Sequence, residues 1–281
     1  MRTVTFQSVL HGVAYWLGLD PTSNLLPSQA AALTEYLNTR IADAWEAFQW
    51  PELCPIEERL VRPLFSLLTA YVEGDEVYDS VTATYYRALQ AADGDALSDT
   101  DFWEVVTDLN RYIAYEQTGK DAFGEVFAIY AADPNLNVRP KVIPFRLSTA
   151  GLQLGPGPWP NSVWVEYRQR PSQFTYALVD TAGTYAVGDL VYSAAQRDCF
   201  KAIAADAPGD ELTDAAQWTR VPFPLVLANA SKIAAYADAL REDGQLDKAM
   251  IEENRSAKIL EDEMEKIVVQ QSQSQGFTLN Q

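Results

Sequence analysis

The chain has 281 residues, 48% of them hydrophobic, which is enough for one large domain or for two to three small ones. It carries 21 basic and 39 acidic side chains, a formal net charge of −18. Such a surface repels phosphate backbones and argues against sequence-independent DNA binding, although a conduit for DNA benefits from not sticking to it. Plain solubility is the other interpretation of the charge. No stretch approaches the roughly 20 apolar residues that span a bilayer, so we expect no membrane segment.

The first 69 residues are predicted to be mainly helical. Residues 1–20 indicate a short helix and a turn. Ser28 is a candidate N-cap for a helix of about six turns that ends before Pro51. Its apolar positions recur at three- and four-residue spacing: Leu33, Leu37, Ile41, Ala44, Trp45 and Phe48. The helical prediction continues over residues 57–68, with Pro63 inside it.

The middle of the chain is predicted to alternate between short strands and one helical stretch. Residues 70–106 are rich in Tyr, Val, Gly and Asp and indicate short strands, and residues 108–118 favour a helix. Residues 125–130, 142–147 and 163–167 are strand candidates by their β-branched and aromatic content. Because Pro144 removes a backbone donor, its strand is expected at a sheet edge.

The last fifth of the chain is predicted to be helical. Residues 225–270 favour helix throughout, and Gly244 divides them into two helices. Met264, Ile267 and Val268 form an apolar stripe at the end of the second helix, where an isolated helix tip has nothing to bury them against. Residues 270–281 are rich in Gln and Ser, and we expect them to be disordered in isolation.

A short sequence module occurs twice. The string YVEGDEVY from Tyr71 matches YAVGDLVY from Tyr185, and YRAL from Tyr86 matches FKAI from Phe200. Asp75 to Tyr86 and Asp189 to Phe200 both span 11 residues, and a tryptophan closes each unit. Gly-Asp predicts a tight turn between two strands, and the tryptophan is expected to fill a core too small to close itself. The residues expected to hold the two copies together are Tyr71, Gly74, Asp75, Tyr86 and Trp103, and Tyr185, Gly188, Asp189, Phe200 and Trp218.

This module resembles the small chitin-binding modules of carbohydrate-binding module families 5 and 12. Those modules share the Tyr-x-x-Gly-Asp-x-Val opening, a Tyr-Lys-Ala strand and a closing Trp. In the families, exposed aromatic residues just after the Tyr-Lys-Ala strand stack on sugar rings. Here those positions hold Gln90-Ala91 and Ala204-Ala205, so we expect a structural module rather than a sugar reader.

Histidine and cysteine are sparse in this chain, while carboxylates are abundant but mostly occur in runs. The single histidine, His11, has no metal-ligand partner at i±4, and both Ser/His/Asp and cysteine chemistry would require it. The two cysteines, Cys54 and Cys199, form no CxxC pair, and adjacent carboxylates on predicted helices indicate solvated surface. We therefore expect no enzyme, no cofactor and no metal site.

The order of several segments resembles the head-to-tail adaptor (neck) proteins of tailed bacteriophages and the tail tubular proteins of short-tailed phages. The opening carries YLNTR from Tyr36, then Ala44-Trp45 and WPEL from Trp50. The close carries AYADAL from Ala235, then Gly244-Gln245, Lys248-Ala249, Ala257 and a Gln-rich tail. The strands at 142–147 and 163–168, followed by Arg170-Pro171, also suit that group.

The resemblance implies an α+β protein, a scaffold of N-terminal and long C-terminal helices with two inserted small antiparallel β modules. The expected segments are 1–69 and 107–175 (core), 70–106 and 176–222 (modules), 223–269 (C-terminal helices) and 270–281 (tail). The resemblance further implies a homo-oligomeric ring, typically of twelve copies, in the virion neck, assembled in the host cytoplasm. Its partners would be the portal protein and the tail or next neck protein, with DNA passing through without sequence-specific binding. The portal-binding arm would include Ile267, Val268, Gln271, Phe277 and Leu279.

Two alternatives remain open at this stage. A carbohydrate-binding virion surface protein would use the modules as sugar readers, with Tyr85, Tyr86 and Tyr192 as the convenient exposed aromatics. A cell-wall hydrolase would need a carboxylate pair that may be distant along the chain.

Overall fold

A computed structural model of the chain describes residues 2–19, 25–62, 64–79, 81–82, 84–106, 112–115, 120, 122–136, 140–149, 151–156, 160, 162–209 and 211–276, with the side chains of 271–276 excepted. The chain divides into two compact units. The terminal unit comprises Met1–Leu53 and Pro171–Gln281, and the inserted unit comprises Cys54–Arg170. The protein is of the mixed α+β class.

Four α-helices lie in the described residues, all of them in the terminal unit: α1 (Phe6–Trp16), α2 (Pro27–Glu46), α3 (Leu225–Glu242) and α4 (Leu246–Gly276). A 3-10 turn at Pro51–Leu53 follows α2. Within the described chain, no helix combines the length and apolar composition that crossing a bilayer requires.

The strands are short and pair in antiparallel sheets of two or three. Their bounds are β1 (Thr3–Val4), β2 (Ile56–Leu60), β3 (Ala70–Tyr71), β4 (Glu76–Asp79), β5 (Thr84–Ala88), β6 (Ala92–Asp93), β7 (Trp103–Val105), β8 (Tyr112–Ile113), β9 (Phe123–Tyr130), β10 (Phe145–Ser148), β11 (Gly151–Leu154), β12 (Ser162–Gln169), β13 (Thr184–Tyr185), β14 (Leu190–Ser193), β15 (Asp198–Ala202), β16 (Ala207–Pro208), β17 (Trp218–Val221) and β18 (Phe223–Pro224).

Helix α3 is the centre of the helical part, since α1, α2 and α4 all contact it. Its small side chains let the neighbouring helices approach closely, and they are buried on several sides: Ala228, Ala230, Ala234, Ala235, Ala237 and Ala239. Gly244, at φ +76°, lies in the turn between α3 and α4. The predicted division of the C-terminal region at Gly244 is therefore confirmed, because glycine adopts this left-handed conformation without steric cost.

The inserted unit is built on the sheet β2-β12-β9, with a second sheet in the order β10-β11-β8. Alternate residues of β12, Val163, Val165 and Tyr167, are fully buried, as expected for a strand with one face on the core. Arg59 on β2 is also fully buried. Its guanidinium lies 4.5 Å from the centre of the Phe123 ring and pairs with Glu57 at 2.9 Å.

Two helical predictions were wrong. Residues 56–60, expected to belong to a helix over 57–68, form β2, because pairing with the long strand β12 overrides the helix propensity of Glu-Glu-Arg-Leu. Residues 112–113, expected within a helix over 108–118, form β8 and pair with β11. Positions 107–111 and 116–119, like Pro63, lie outside the described residues.

Two smaller expectations were also corrected. Ser28 does not cap α2, because the helix begins at Pro27 after Leu26, whose backbone N–H donates to Gln29 Oε1 at 3.2 Å. Proline suits this first position because its missing N–H would have no helical partner there. The strand predicted over 142–147 begins after Pro144, at Phe145–Ser148, and lies at the edge of its sheet beside β11. Val142 instead forms a bridge with Tyr130 of β9, so Pro144 separates two pairings rather than lying inside an edge strand.

Candidate functional site

The two module copies repeat the same turn. The amide of Gly74, at φ +93°, donates to the Ala88 carbonyl at 2.8 Å. The amide of Gly188, at φ +97°, donates to the Ala202 carbonyl at 2.9 Å. A Cβ is disfavoured at such φ, so both positions require glycine.

The side chain of the aspartate after each glycine stabilises the turn by accepting a backbone hydrogen bond. Asp75 Oδ2 accepts from the amide of Val72 at 2.9 Å, and Asp189 Oδ2 accepts from the amide of Ala186 at 2.8 Å. The turn joins strands of two different sheets rather than forming a hairpin, because β3 pairs with β6 while β4 pairs with β5. Copy 2 repeats this topology with β13-β16 and β14-β15-β17.

The closing tryptophans fill the two small cores, as the sequence predicts. Trp103 is 2% exposed and packs edge-on against Tyr71, with ring centres 5.2 Å apart. Trp218 is 3% exposed and packs edge-on against Tyr185, with ring centres 5.3 Å apart. Tyr86 is partly buried in the first core, and Phe200 is buried in the second. All ten residues expected to hold the modules together therefore lie in the turns or cores of the two copies.

Each copy begins upstream of its most recognisable string. Leu64 forms a parallel bridge with Tyr78, and Leu178 forms the equivalent bridge with Tyr192. We define copy 1 as residues 64–106, in the inserted unit, and copy 2 as residues 178–221, in the terminal unit. The sequence comparison missed the start of copy 1 because Leu64 and Leu178 are followed by dissimilar residues.

The outer face of copy 2 is the side of its β14-β15-β17 sheet opposite the small core of Trp218. This face is part of the main core of the terminal unit. Tyr192, Cys199 and Val221 are buried there, and the Tyr192 ring lies edge-on to Phe6 of α1 at 6.1 Å. The buried carboxylate of Asp198 accepts from the Phe6 amide at 2.9 Å, at the N-terminus of α1. Copy 2 is therefore integrated with the helices, a role the sequence did not indicate for Asp198.

The outer face of copy 1 is polar instead. Glu76 pairs with Arg62 at 2.9 Å and with Arg87 at 2.7 Å. The Arg62 guanidinium also lies 4.5 Å from the centre of the Tyr85 ring. Each copy thus has its own small core of the same design. The copies differ in the face that meets the rest of their own unit.

In the part of each copy that the structure describes, no aromatic platform is exposed. Gln90, Ala91 and Ala205 are exposed at the positions where the resembling modules carry stacking rings. The candidate sugar-stacking rings are half-buried (Tyr85, Tyr86) or 1% exposed (Tyr192). Across the described residues, the only exposed aromatic side chain is that of Tyr15, on α1. What both copies expose at corresponding positions is aliphatic: Leu64 with Leu178, and Leu89 with Ile203.

Helix α4 changes character near its end. Leu260, Met264 and Ile267 are partly buried against the core of the terminal unit. Val268 and Val269, the next residues, are 52% and 47% exposed. Of the predicted portal-binding residues, Ile267 thus faces inward and Val268 outward, and sequence reasoning missed Val269. The side chain of Gln271 and all of Phe277 and Leu279 lie outside the described residues.

The first half of α4 is fixed to α3. Ser256 Oγ donates to the Ala230 carbonyl at 2.8 Å in a buried contact. At the other end of α3, Arg40 of α2 binds Asp238 at 2.6 Å, and Glu253 of α4 lies 3.3 Å from the same guanidinium. The three helices are therefore joined by a shared polar network as well as by apolar packing.

The single histidine and the two cysteines have pKa values shifted by burial. Burial and the nearby Arg197 lower the pKa of His11 below its usual range. Burial raises the pKa of the Cys54 thiol to about 11 and that of Cys199 to about 12, which disfavours the reactive thiolate. Within the described ranges, no three His, Cys, Asp or Glu side chains come together as a metal cluster.

Compared with known proteins, the chain matches no family model, no curated protein and no solved structure.

Proposed function

We propose that this chain is a structural head-to-tail adaptor of a tailed bacteriophage, forming a ring under the portal that connects capsid to tail. In this proposal α1 to α4 are a helical bundle that forms the ring wall. Copy 2 braces that wall, and copy 1 belongs to the inserted unit. The observation that carries the proposal is the end of α4, where inward-facing Ile267 is followed directly by the exposed pair Val268 and Val269.

Two adjacent exposed valines near the end of a long helix favour burial by a partner. At residues 260–267 the helix already has an inward face in contact with the core. Residues 268–276 continue the helix for nine more residues, so about 13 Å of helix follows the last described inward contact. An apolar pair on such an extension is typical of helix-in-groove recognition. The portal is the partner that the resemblance in segment order suggests.

The remaining features agree with a structural rather than a catalytic subunit. The described residues of the module faces include no exposed ring of the kind that sugar stacking requires. The outer face of copy 2 is buried in the core of the terminal unit. The net charge of −18 suits a protein that lines a DNA conduit without binding the passing duplex.

The test is binding of the purified chain to purified portal rings of the same phage, measured by co-sedimentation. The test variants are Val268→Ser with Val269→Ser, and deletion of residues 270–281. The matched control is Leu246→Ser with Met250→Ser, which changes two residues of α4 that are 62% and 59% exposed. Loss of about 2 kcal/mol of apolar burial should weaken portal binding by the valine variant roughly 30-fold.

The control should bind like the wild type, and the substituted variants should keep the wild-type far-UV circular dichroism of the helices. The deletion should lose only the signal of the helical residues 270–276 that it removes. Unchanged portal binding by both test variants would contradict the proposed role of the α4 end. Equal loss in the control would show that the effect is not specific to that end.

A further inference from the structure

Two exposed stripes of opposite charge run along α2 and α4. The acidic stripe consists of Glu35, Asp43 and Glu46 on α2, and the basic stripe consists of Lys248, Arg255 and Lys258 on α4; all six side chains are exposed. At 100° per residue, each set falls within about 80° of arc, on the side of its helix away from the buried residues. Three basic residues within eleven positions stand out in a chain with a net charge of −18.

Two of the six charges also meet an opposite charge of their own helix: Asp43 lies 3.6 Å from Arg40, and Arg255 lies 3.3 Å from Glu252. Arg40 itself binds Asp238 and Glu253, and Glu253 also lies 2.7 Å from Arg241. Exposed Asp262, four residues after Lys258, ends the basic stripe on its C-terminal side. Ile251, 63% exposed, lies inside the basic stripe, and exposed Thr39 lies inside the acidic one.

The two stripes have matching spacing when the helices run in the same direction. At 1.5 Å per residue, Glu35, Asp43 and Glu46 lie at intervals of about 12 Å and about 4.5 Å along α2. Lys248, Arg255 and Lys258 lie at intervals of about 10.5 Å and about 4.5 Å along α4. A parallel alignment therefore pairs all three charges and brings Ile251 opposite Thr39. An antiparallel alignment does not pair all three.

Within one chain, α2 and α4 do run in the same direction. The side chains of Tyr36 and Arg40 on α2 bind those of Glu242 and Asp238 on α3, so α2 is antiparallel to α3. Ser256 of α4 meets Ala230 near the start of α3, so α4 is antiparallel to α3 as well. Both helices pack against α3, and they also meet directly where Arg40 contacts Glu253.

We propose that the basic stripe of α4 docks on the acidic stripe of α2 in a second copy of this chain. Rotation about an axis roughly along the helices preserves their direction, so it brings the α2 of one copy parallel to the α4 of the next. A two-fold axis across the helices would reverse that direction. The charge register therefore selects a cyclic, head-to-tail contact, in which different surfaces meet. This inference rests on the ring of the proposed function and specifies the contact that builds it.

The contact is expected to be weak and sensitive to salt. Exposed ion pairs contribute little individually, so three of them with the Ile251–Thr39 contact correspond to roughly a 10- to 100-fold change in association. Repulsion between acidic chains opposes association at low ionic strength. The measurement is therefore made at about 0.1 M salt, where charges more than about 10 Å apart are screened.

The experiment is a reciprocal charge exchange, read by sedimentation velocity. Variant A carries Lys248→Glu, Arg255→Glu and Lys258→Glu, and variant B carries Glu35→Lys, Asp43→Lys and Glu46→Lys. Each alone presents two stripes of like charge and should sediment as a monomer. Mixed in equal amounts, A and B restore both contacts and should associate at least as strongly as the wild type. The control, with Lys120→Glu, Lys141→Glu and Lys201→Glu, changes three exposed lysines that lie outside α4 and should behave like the wild type.

A mixture that stays monomeric overturns the inference, including the case in which the wild type is itself monomeric at every concentration. Association of A or B alone at the wild-type level also overturns it. Either result leaves the proposed adaptor role standing if the wild type still binds portal rings, so the two proposals can fail separately.

Discussion

Replacing Trp218 with alanine should destabilise the helices of the terminal unit, although Trp218 belongs to a β module. Its ring is 3% exposed and packs against Tyr185, and its indole N–H donates to the Pro208 carbonyl at 2.9 Å. The opposite face of the same sheet contributes Tyr192 and Val221 to the main core. Loss of the module core should therefore weaken the packing on which α1 and α3 depend.

The magnitude follows from the size of the cavity. Truncation of a buried tryptophan to alanine costs about 3–5 kcal/mol. With a urea m-value of about 2 kcal/mol/M, the unfolding midpoint should fall by about 1.5–2.5 M. The matched substitution is Trp103→Ala, which removes a ring with the same packing from copy 1 in the inserted unit.

The assay is urea unfolding followed by circular dichroism at 222 nm, which reports mainly on the four described helices of the terminal unit. Trp218→Ala should lower the urea midpoint of this transition by the full amount of about 1.5–2.5 M, and Trp103→Ala should change that midpoint little. Hydrogen exchange should show that the inserted unit loses protection in Trp103→Ala. Equal shifts of the helical transition in both variants, or no shift in Trp218→Ala, would refute the integration of copy 2 with the helices.

Three further predictions concern single positions. Gly188→Ala, at φ +97°, should cost about 1 kcal/mol or more in unfolding free energy by chemical denaturation, and an unchanged midpoint would contradict the turn requirement. Arg62→Met removes one of the charged partners of the partly buried Glu76, which also pairs with Arg87 and accepts a hydrogen bond from Tyr112. The substitution should destabilise the inserted unit by about 2 kcal/mol in tryptophan-monitored unfolding, whereas a stabilised variant would contradict a favourable pair. Burial raises the pKa of the Cys199 thiol to about 12, while the pKa of a thiol in the unfolded chain is about 8.5. Stability should therefore be unaffected by this group below about pH 8.5 and fall as the pH rises toward 12, with a shallower fall in Cys199→Ala.

The sequence predicted the module cores and the C-terminal helices because both depend on local signals, but the predicted helix end at 269 was wrong, since α4 continues to Gly276. Gly-Asp turns, a spacing repeated in two places and a helix divided at Gly244 act over a few residues, and all are confirmed. The strand β2 was missed because its residues have helical propensity and become a strand only by pairing with β12, about a hundred residues later. Pairing over such distances leaves no periodic signal in a stretch of five residues.

The surfaces were predictable only in part, because which side chains are covered depends on contacts that a local sequence pattern does not show. The apolar end of α4 was visible as a pattern, but the pattern could not show that Ile267 turns inward while Val268 and Val269 do not. The outer faces of the two module copies differ because they meet different residues outside the modules, the distant Phe6 for copy 2 and the neighbouring Arg62 for copy 1. The acidic and basic stripes became meaningful only when the relative directions of α2 and α4 were known.

The most direct test of the adaptor proposal is a cryo-electron microscopy map of the phage particles in which the proposal places this chain. The proposal predicts a ring of copies at the portal vertex, with the end of α4 against the portal and the lumen of the ring on the path of the DNA. It further predicts that α4 of each copy lies beside α2 of its neighbour. Location of the chain in the tail fibres or on the capsid surface, or its absence from the particle, would contradict the proposal.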